Sequence, residues 1–122
     1  HGVKIVAGPS YGSKGTHEVR KRDSIIGAKL EKAGIEFAVS TGHPEMNAEF
    51  AMVQLAMMHK KGLSRKKALE VVTIEAAKLC GLEERVGSIE VGKDADIVIW
   101  DGEPLDYYTS PCCVLIDGQR VL

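Results

Sequence analysis

The sequence predicts an α/β fold in two parts: a parallel strand–loop–helix–strand unit running into helices, then a short antiparallel β unit. Three observations carry this. Val3 to Ser40 reads as strand, loop, helix and strand, and two strands joined through a helix pair in parallel. Residues 47–81 read as helices punctuated by Gly62, Ser64, Thr73 and Gly81. From Gly87 the pattern changes to alternating or β-branched runs separated by Gly and Asp.

Val3–Ala7, VKIVA, reads as a short buried strand ended by Gly8-Pro9. Tyr11 to Asp23 is polar and basic, and we read it as a long solvated loop. Ser24 to Ala33 places Ile25, Ile26, Leu30 and Ala33 near helical spacing. Asp23 or Ser24 can cap its start, and Gly34 suits the position just past its end. Ile35–Ser40 is the second strand, followed by the loop Thr41-Gly42-His43-Pro44-Glu45.

Asn47 is placed to cap a helix running to about Lys61, with Gly62 ending it. This helix is apolar nearly all round (Ala48, Phe50, Ala51, Met52, Val53, Leu55, Ala56, Met57, Met58), which predicts burial over most of its surface. The methionines read as adaptable core filler. Ser64 is expected to cap a short helix through about Val72, with Ala68, Leu69, Val71 and Val72 inward. Thr73 is expected to cap another from Ile74 to Cys80, stopped by Gly81.

Gly87–Asp101, GSIEVGKDADIVIWD, reads as strand, tight turn, strand. Ser88-Ile89-Glu90-Val91 alternates as a half-buried strand does, and Gly92-Lys93-Asp94 supplies turn chemistry. Ala95–Trp100 is rich in β-branched residues and reads as a strand covered on both faces. Asp94 and Asp96 read as turn caps rather than metal ligands. Glu103–Pro111 is an irregular link. Val114–Ile116 and Gln119–Leu122 flank Asp117-Gly118, a favoured two-residue hairpin turn.

Composition bounds function. With 122 residues and 44% hydrophobic content the chain can bury a core, and a net charge of −1 gives no pull toward nucleic acid or anionic membrane. The basic loop lacks the interleaved aromatics of a nucleic-acid site. No apolar run reaches the roughly 18 residues of a spanning helix. Three cysteines, Cys80, Cys112 and Cys113, form no C-x-x-C and read as thiols of a cytoplasmic protein. The start, His-Gly-Val-Lys, has neither an initiating Met nor a signal peptide's apolar core, so the chain is expected to be cut from something longer.

The four histidines, His1, His17, His43 and His59, form no H-x-H or H-E-x-x-H pair. His59 reads as a capping residue at a helix end. His43 directly follows a strand and precedes a helix. In parallel α/β folds the loops at the C-terminal ends of strands build active sites, so His43 is the histidine best placed for function.

GSIEVGKDADIVIWD resembles the closing signature of the metal-dependent amidohydrolases, cyclic amidases and deaminases built on a (β/α)₈ barrel with a small β-sandwich beside it. VKIVAGP at Val3–Pro9 is similar to the seventh barrel strand of the imidazolonepropionase- and prolidase-like members, and AGIEFAVSTGHP at Ala33–Pro44 to the eighth. LEVVTIEAAKLCGL, Leu69–Leu82, resembles the helix leading into the sandwich. The resemblance implies the C-terminal fragment of a (β/α)₈ barrel, its last two strands and helices in residues 1–81, followed by part of a β-sandwich in residues 82–122. It implies hydrolysis of an amide or cyclic amide C–N bond by metal-activated water, with zinc or a similar divalent cation in the full-length enzyme and none in this chain alone. Thr41, Gly42 and His43 would then lie near the site, with Pro9–Thr16 as a substrate-side wall. The family usually reads S-T-D-H-P where this chain has Ser40-Thr41-Gly42-His43-Pro44, so the family's Asp position is Gly42. A glycine can neither ligate a cation nor take a proton. Glu45 is a substitute carboxylate only if the loop carries it to Gly42. The alternative is a non-catalytic scaffold or binding relative. Two strands of eight leave open edges, so the missing N-terminal barrel portion, or self-association, is the expected partner. A small-molecule amide is the expected substrate, with neither nucleic acid nor membrane as partner.

Overall fold

The computed structural model describes residues 3–10 and 23–122, and the sequence expectations for residues 1–2 and 11–22 lie outside them. Strand β1 (Ile5–Ala7) pairs in parallel with β2 (Phe37–Val39), Ile5 opposite Phe37 and Ala7 opposite Val39. Helix α1 (Ile26–Lys32) makes the crossover. The crossover unit read from the sequence is therefore present, with the two strands in matching direction.

Neither Asp23 nor Ser24 caps α1, whose cap position is Ile25 with no side-chain bond; Asp23 Oδ1 accepts from the Ile25 N–H at 3.1 Å in the turn just before the helix. Ser24 is buried, its hydroxyl 3.3 Å from that of Ser10. Gly34 follows α1 at φ +66°, and the Ile35 N–H donates back to Leu30 O. Strand β1 is less covered than its sequence suggests. Ala7 is buried, but Val6 is 59% exposed because nothing among the described residues packs over that face.

A single 3₁₀ turn at Ala48–Phe50 leads into α2 (Ala51–Lys60). Asn47 stands at the cap position, but its side chain donates to Glu49 instead of capping the backbone. Only Gln54, Leu55 and Met58 of α2 are fully buried, while Phe50 just before it and Val53 are exposed. Helix α2 thus packs on one side, not on most of its surface. His59 Nδ1 lies 2.7 Å from Leu63 O, the helix-end role expected of it.

Helix α3 (Arg65–Glu70) is capped by Ser64, whose Oγ accepts from the Lys67 N–H. Helix α4 (Ile74–Cys80) starts after Thr73, but that hydroxyl donates to Leu69 O and caps nothing. Lys67 reaches the buried Glu75 at 2.9 Å and ties α3 to α4. The core gathers Phe37 of β2, Leu55 and Met58 of α2, Leu63, and Ala68 and Val71 of α3 and its end, with Leu105 entering from the C-terminal part. Met58 is core filler, as its flexible thioether suits it to be.

Ser64 also donates, through N–H and hydroxyl, to the Glu31 carboxylate of α1. These bonds, the hydroxyl's first, lower the Glu31 pKa from its ordinary 4.5. A depressed native pKa means that this contact stabilises fully above about pH 4.5 and is lost as pH falls through the lower native value. Glu31→Gln is therefore expected to destabilise at pH 7 and to make no difference near pH 2. Solvent screening keeps the effect below about 1 kcal/mol. Urea midpoints of the two forms at both pH values check it.

The C-terminal part contains β3 (Ile97–Trp100), β4 (Pro111–Ile116) and β5 (Gln119–Arg120), antiparallel in the order β3-β4-β5. The hairpin turn is Asp117-Gly118, with φ +49° and +75° as a type I′ turn requires. Two expectations fail here. Ser88–Val91 is not a strand: Ile89 is 84% exposed and Val91 fully so, and the segment is a turn held by Lys93 Nζ on Glu83 O and Ser88 Oγ. Strand β3 is not covered on both faces either, since Val98 and Ile99, on opposite faces, are each 48% exposed. Asp94 pairs with Arg85 at 2.6 Å instead of capping its own turn, and Asp96 accepts from the Asp117 N–H at 2.9 Å, at the hairpin turn. Cys80, Cys112 and Cys113 are unpaired with one another. No helix among the described residues is long and apolar enough to cross a membrane.

Candidate functional site

Parallel pairing brings the C-terminal ends of β1 and β2 side by side. Chain leaves β1 as Gly8-Pro9-Ser10 and β2 as Ser40-Thr41-Gly42-His43-Pro44-Glu45. The Ser40 N–H donates to Ala7 O at 2.9 Å and extends the pairing by one residue. Beyond it both chains turn away, and side chains must satisfy their backbone groups.

Gln54 does this. It is 1% exposed, and its amide bridges the two exits: Nε2 donates to Ser40 O at 3.2 Å, and Oε1 accepts from the Ser10 N–H at 3.3 Å. Sequence reading passed over Gln54. Its signal was a lone amide among apolar residues in α2.

Of the residues expected near the site, Thr41 is half-buried and His43 exposed, both on the loop leaving β2. The Gly42 N–H donates to Ser40 Oγ at 3.0 Å. Gly42 has φ +66°, and a β-carbon there would stand 3.1 and 3.3 Å from Cδ and Cγ of Pro9 and 3.8 Å from Glu45 Oε2. Pro9, at the exit of β1, thus packs flat against Gly42, at the exit of β2. The Glu45 N–H donates to Gly42 O at 3.0 Å, closing a turn that folds Glu45 back over the glycine. Of the expected wall Pro9–Thr16, Pro9 and Ser10 stand at this site and 11–16 lie outside the described residues.

Among the described residues the donor set does not fit a metal. No three of His, Cys, Asp and Glu among them come together to hold one. Here the two strand exits offer one imidazole, His43, and one carboxylate, Glu45, where a catalytic zinc takes three protein ligands and a structural one four. A separate cleft of about 890 Å³ lies between α2 and the 103–109 link, lined by Met52, Ala56, Met57 and Tyr107 and crossed by the 2.7 Å Arg65–Glu103 pair. No residue of the strand exits lines it. Arg65 lowers the Glu103 pKa, which fits a structural ion pair.

Comparison with known proteins defines the class. Residues 14–121 match the amidohydrolase family. The amidohydrolase tasK of Hapsidospora irregularis is 36% identical over 92 residues, 75% of this chain and 9% of that protein. An imidazolonepropionase of Fusobacterium nucleatum is 39% identical over 85 residues, 66% of this chain and 20% of that one. The crystal structure of an amidohydrolase from Thermotoga maritima superposes with a TM-score of 0.93 at 38% identity, over 98% of this chain and 31% of its own. A Xaa-Pro dipeptidase with bound methionine in its active site superposes at 0.72 with 27% identity, over 84% of this chain and 26% of its own. This chain belongs to the amidohydrolase family, and it spans under a third of the length of these relatives.

Proposed function

We propose that this chain is the C-terminal part of a metal-dependent amidohydrolase that hydrolyses an amide or cyclic amide C–N bond. In this reading residues 1–81 close a (β/α)₈ barrel with its seventh and eighth strands, and residues 82–122 form part of a β-sandwich beside it. Thr41, Gly42 and His43 then face the substrate at the C-terminal mouth of the barrel. The reading is supported by the superposition of this chain on the Thermotoga maritima amidohydrolase, at a TM-score of 0.93 over 98% of its length, together with the parallel β1–β2 pair. A whole barrel takes about 250 residues, so the chain needs the preceding portion. The divalent cation of such an enzyme, zinc or a similar ion, would be ligated by that portion, because among the described residues the strand exits here bring no three such ligands together. Placement in the cytoplasm belongs to the same proposal.

Gly42 favours a second reading, a non-catalytic relative whose site has lost its carboxylate. The two separate on the full-length polypeptide. Zinc-loaded protein that hydrolyses the C–N bond of amide or cyclic amide substrates, stops with a chelator and recovers with zinc supports the enzyme. Zinc-loaded protein that binds such substrates without turnover supports the scaffold.

The isolated chain is a further test. Among the described residues strand β1 keeps an open edge and Val6 a bare face, β3 is half-exposed on both faces, and open edges recruit other chains. The 122-residue chain is expected to be inactive and to self-associate or to bind the preceding portion, by light scattering. A monodisperse monomer with a cooperative melt would contradict the incomplete-barrel reading.

A further inference from the structure

We infer that Ser24 is a positioning residue for this site: its buried hydroxyl holds Ser10, and through Ser10 it fixes the exit of β1 against the exit of β2. The inference rests on the amidohydrolase reading and deepens it. Ser24 lies in the turn just before α1, well apart from both strand exits in sequence. It is 4% exposed, and a hydroxyl withdrawn from water needs a partner. Among the described residues that partner is Ser10, Oγ to Oγ at 3.3 Å.

Ser10 is thereby held from two helices. Its hydroxyl meets Ser24 at the entry to α1, and its N–H donates to Gln54 Oε1 on α2 at 3.3 Å. The Gln54 amide has one usable orientation, since Ser40 O can only accept and the Ser10 N–H can only donate. Ser40 Oγ in turn accepts from the Gly42 N–H. One polar chain therefore runs through Ser24, Ser10, Gln54, Ser40 and Gly42, from the entry of α1 to the loop that follows β2.

The Ser24 link has a distinct consequence. A single bond at the Ser10 N–H lets the residue pivot, whereas two bonds to different helices hold it in place. Pro9 precedes Ser10, and its ring carbons stand 3.1 and 3.3 Å from the β-position of Gly42. Removing the Ser24 hydroxyl should thus loosen Pro9 and Ser10 while Gln54 still holds Ser40. Neither Pro9 nor Ser10 carries an ionisable side chain, so in the proposed hydrolase this exit is a wall beside the substrate. A loosened wall weakens substrate and transition state alike, which shows in KM and not in kcat.

The test uses the zinc-loaded full-length polypeptide and an amide or cyclic amide substrate. Ser24→Ala is expected to raise KM about threefold to tenfold, the range that one hydrogen bond between uncharged groups supplies, with kcat nearly unchanged. Ser10→Ala removes the same link from its half-buried side, where packing is disturbed less, and is expected to do the same. The double variant is expected to go no further than either single one, because both delete one interaction. Ser10→Thr keeps a hydroxyl and is expected to keep the parental KM. A serine that served folding alone would lower the urea midpoint without parting KM from kcat. A parent that hydrolyses amides while both single variants keep its KM, or whose double variant multiplies the two effects, overturns the Ser24–Ser10 link and leaves the amidohydrolase reading standing. A parent without any turnover overturns both.

Discussion

Replacing Gln54 by leucine is expected to destabilise the protein by about 2–4 kcal/mol, although leucine fills nearly the same volume in an apolar helix. The cost comes from what glutamine leaves behind. Ser40 O and the Ser10 N–H both lose their partner in a part-buried setting. An unsatisfied buried donor or acceptor costs about 1–3 kcal/mol, and two are created at once. Volume changes little, so cavity terms contribute less than in a truncation. The urea midpoint should fall at constant m-value. The effect should also reach function, because the bridge fixes the spacing of the two exits that carry Pro9 and Gly42. In the proposed full-length hydrolase Gln54→Leu should therefore lose activity at temperatures well below its melting point. A midpoint within 0.5 kcal/mol of the parent, the ordinary range for surface changes, would mean that the bridge contributes nothing.

Gln54 also marks what could be read in advance. The apolar residues of α2 announce a core helix, and Leu55 and Met58 are fully buried as they suggest. The one polar residue in that run does not announce where its amide goes, because its partners lie 14 and 44 positions away. Local chemistry was legible wherever it is satisfied locally: the Ser64 cap, the Asp117-Gly118 turn and Gly34 all bond within a few residues of themselves. Ser88–Val91 shows the converse. Alternation makes a strand possible, but a strand needs a neighbouring edge. Here β3 takes β4, and Lys93 folds the segment back on Glu83 and Ser88.

At the site, the strand exits and the loop from Thr41 to Glu45 were legible because parallel pairing fixes where strands end. The closeness of Glu45 to Gly42 was not. It depends on a turn whose tightness follows from the packing of Pro9, and Pro9 arrives from the other strand. The exposed faces of Val6, Val98 and Ile99 were misread for a different reason. In the proposed reading their apolar character reports the environment of a whole barrel and sandwich, of which this chain would be one part.

Gly87→Ala is expected to destabilise by about 2–4 kcal/mol, and the reason locates the joint between the two parts of the chain. A β-carbon on Gly87 would stand 2.8 Å from Ala77 Cβ, 2.9 Å from Ile74 Cα and 3.1 Å from Ile74 N. Two of these atoms are backbone in the first turn of α4 and cannot yield as a rotamer would. Overpacking of this kind costs about 1–3 kcal/mol, and the φ of +94° adds about 1 kcal/mol for any residue with a β-carbon. Gly92 separates the two terms. It has nearly the same φ, +93°, but nothing within 4 Å of its β-position. Gly92→Ala should therefore show the backbone cost alone, and the difference between the two variants is the price of the close approach. Adding Ala77→Gly to Gly87→Ala removes one contact and leaves the Ile74 backbone, so it should recover only part. The consequence extends past stability. Helix α4 packs on β2, which leads directly into the Thr41–Glu45 loop, while the Gly87 segment opens the C-terminal part. Forcing them apart should loosen residues 82–96 before it disturbs the parallel pair, and hydrogen exchange should register protection lost first at the Asp94 N–H, which donates to Arg85 O at 2.8 Å. Equal melting of Gly87→Ala and Gly92→Ala would mean that the C-terminal part does not rest on α4 through this glycine.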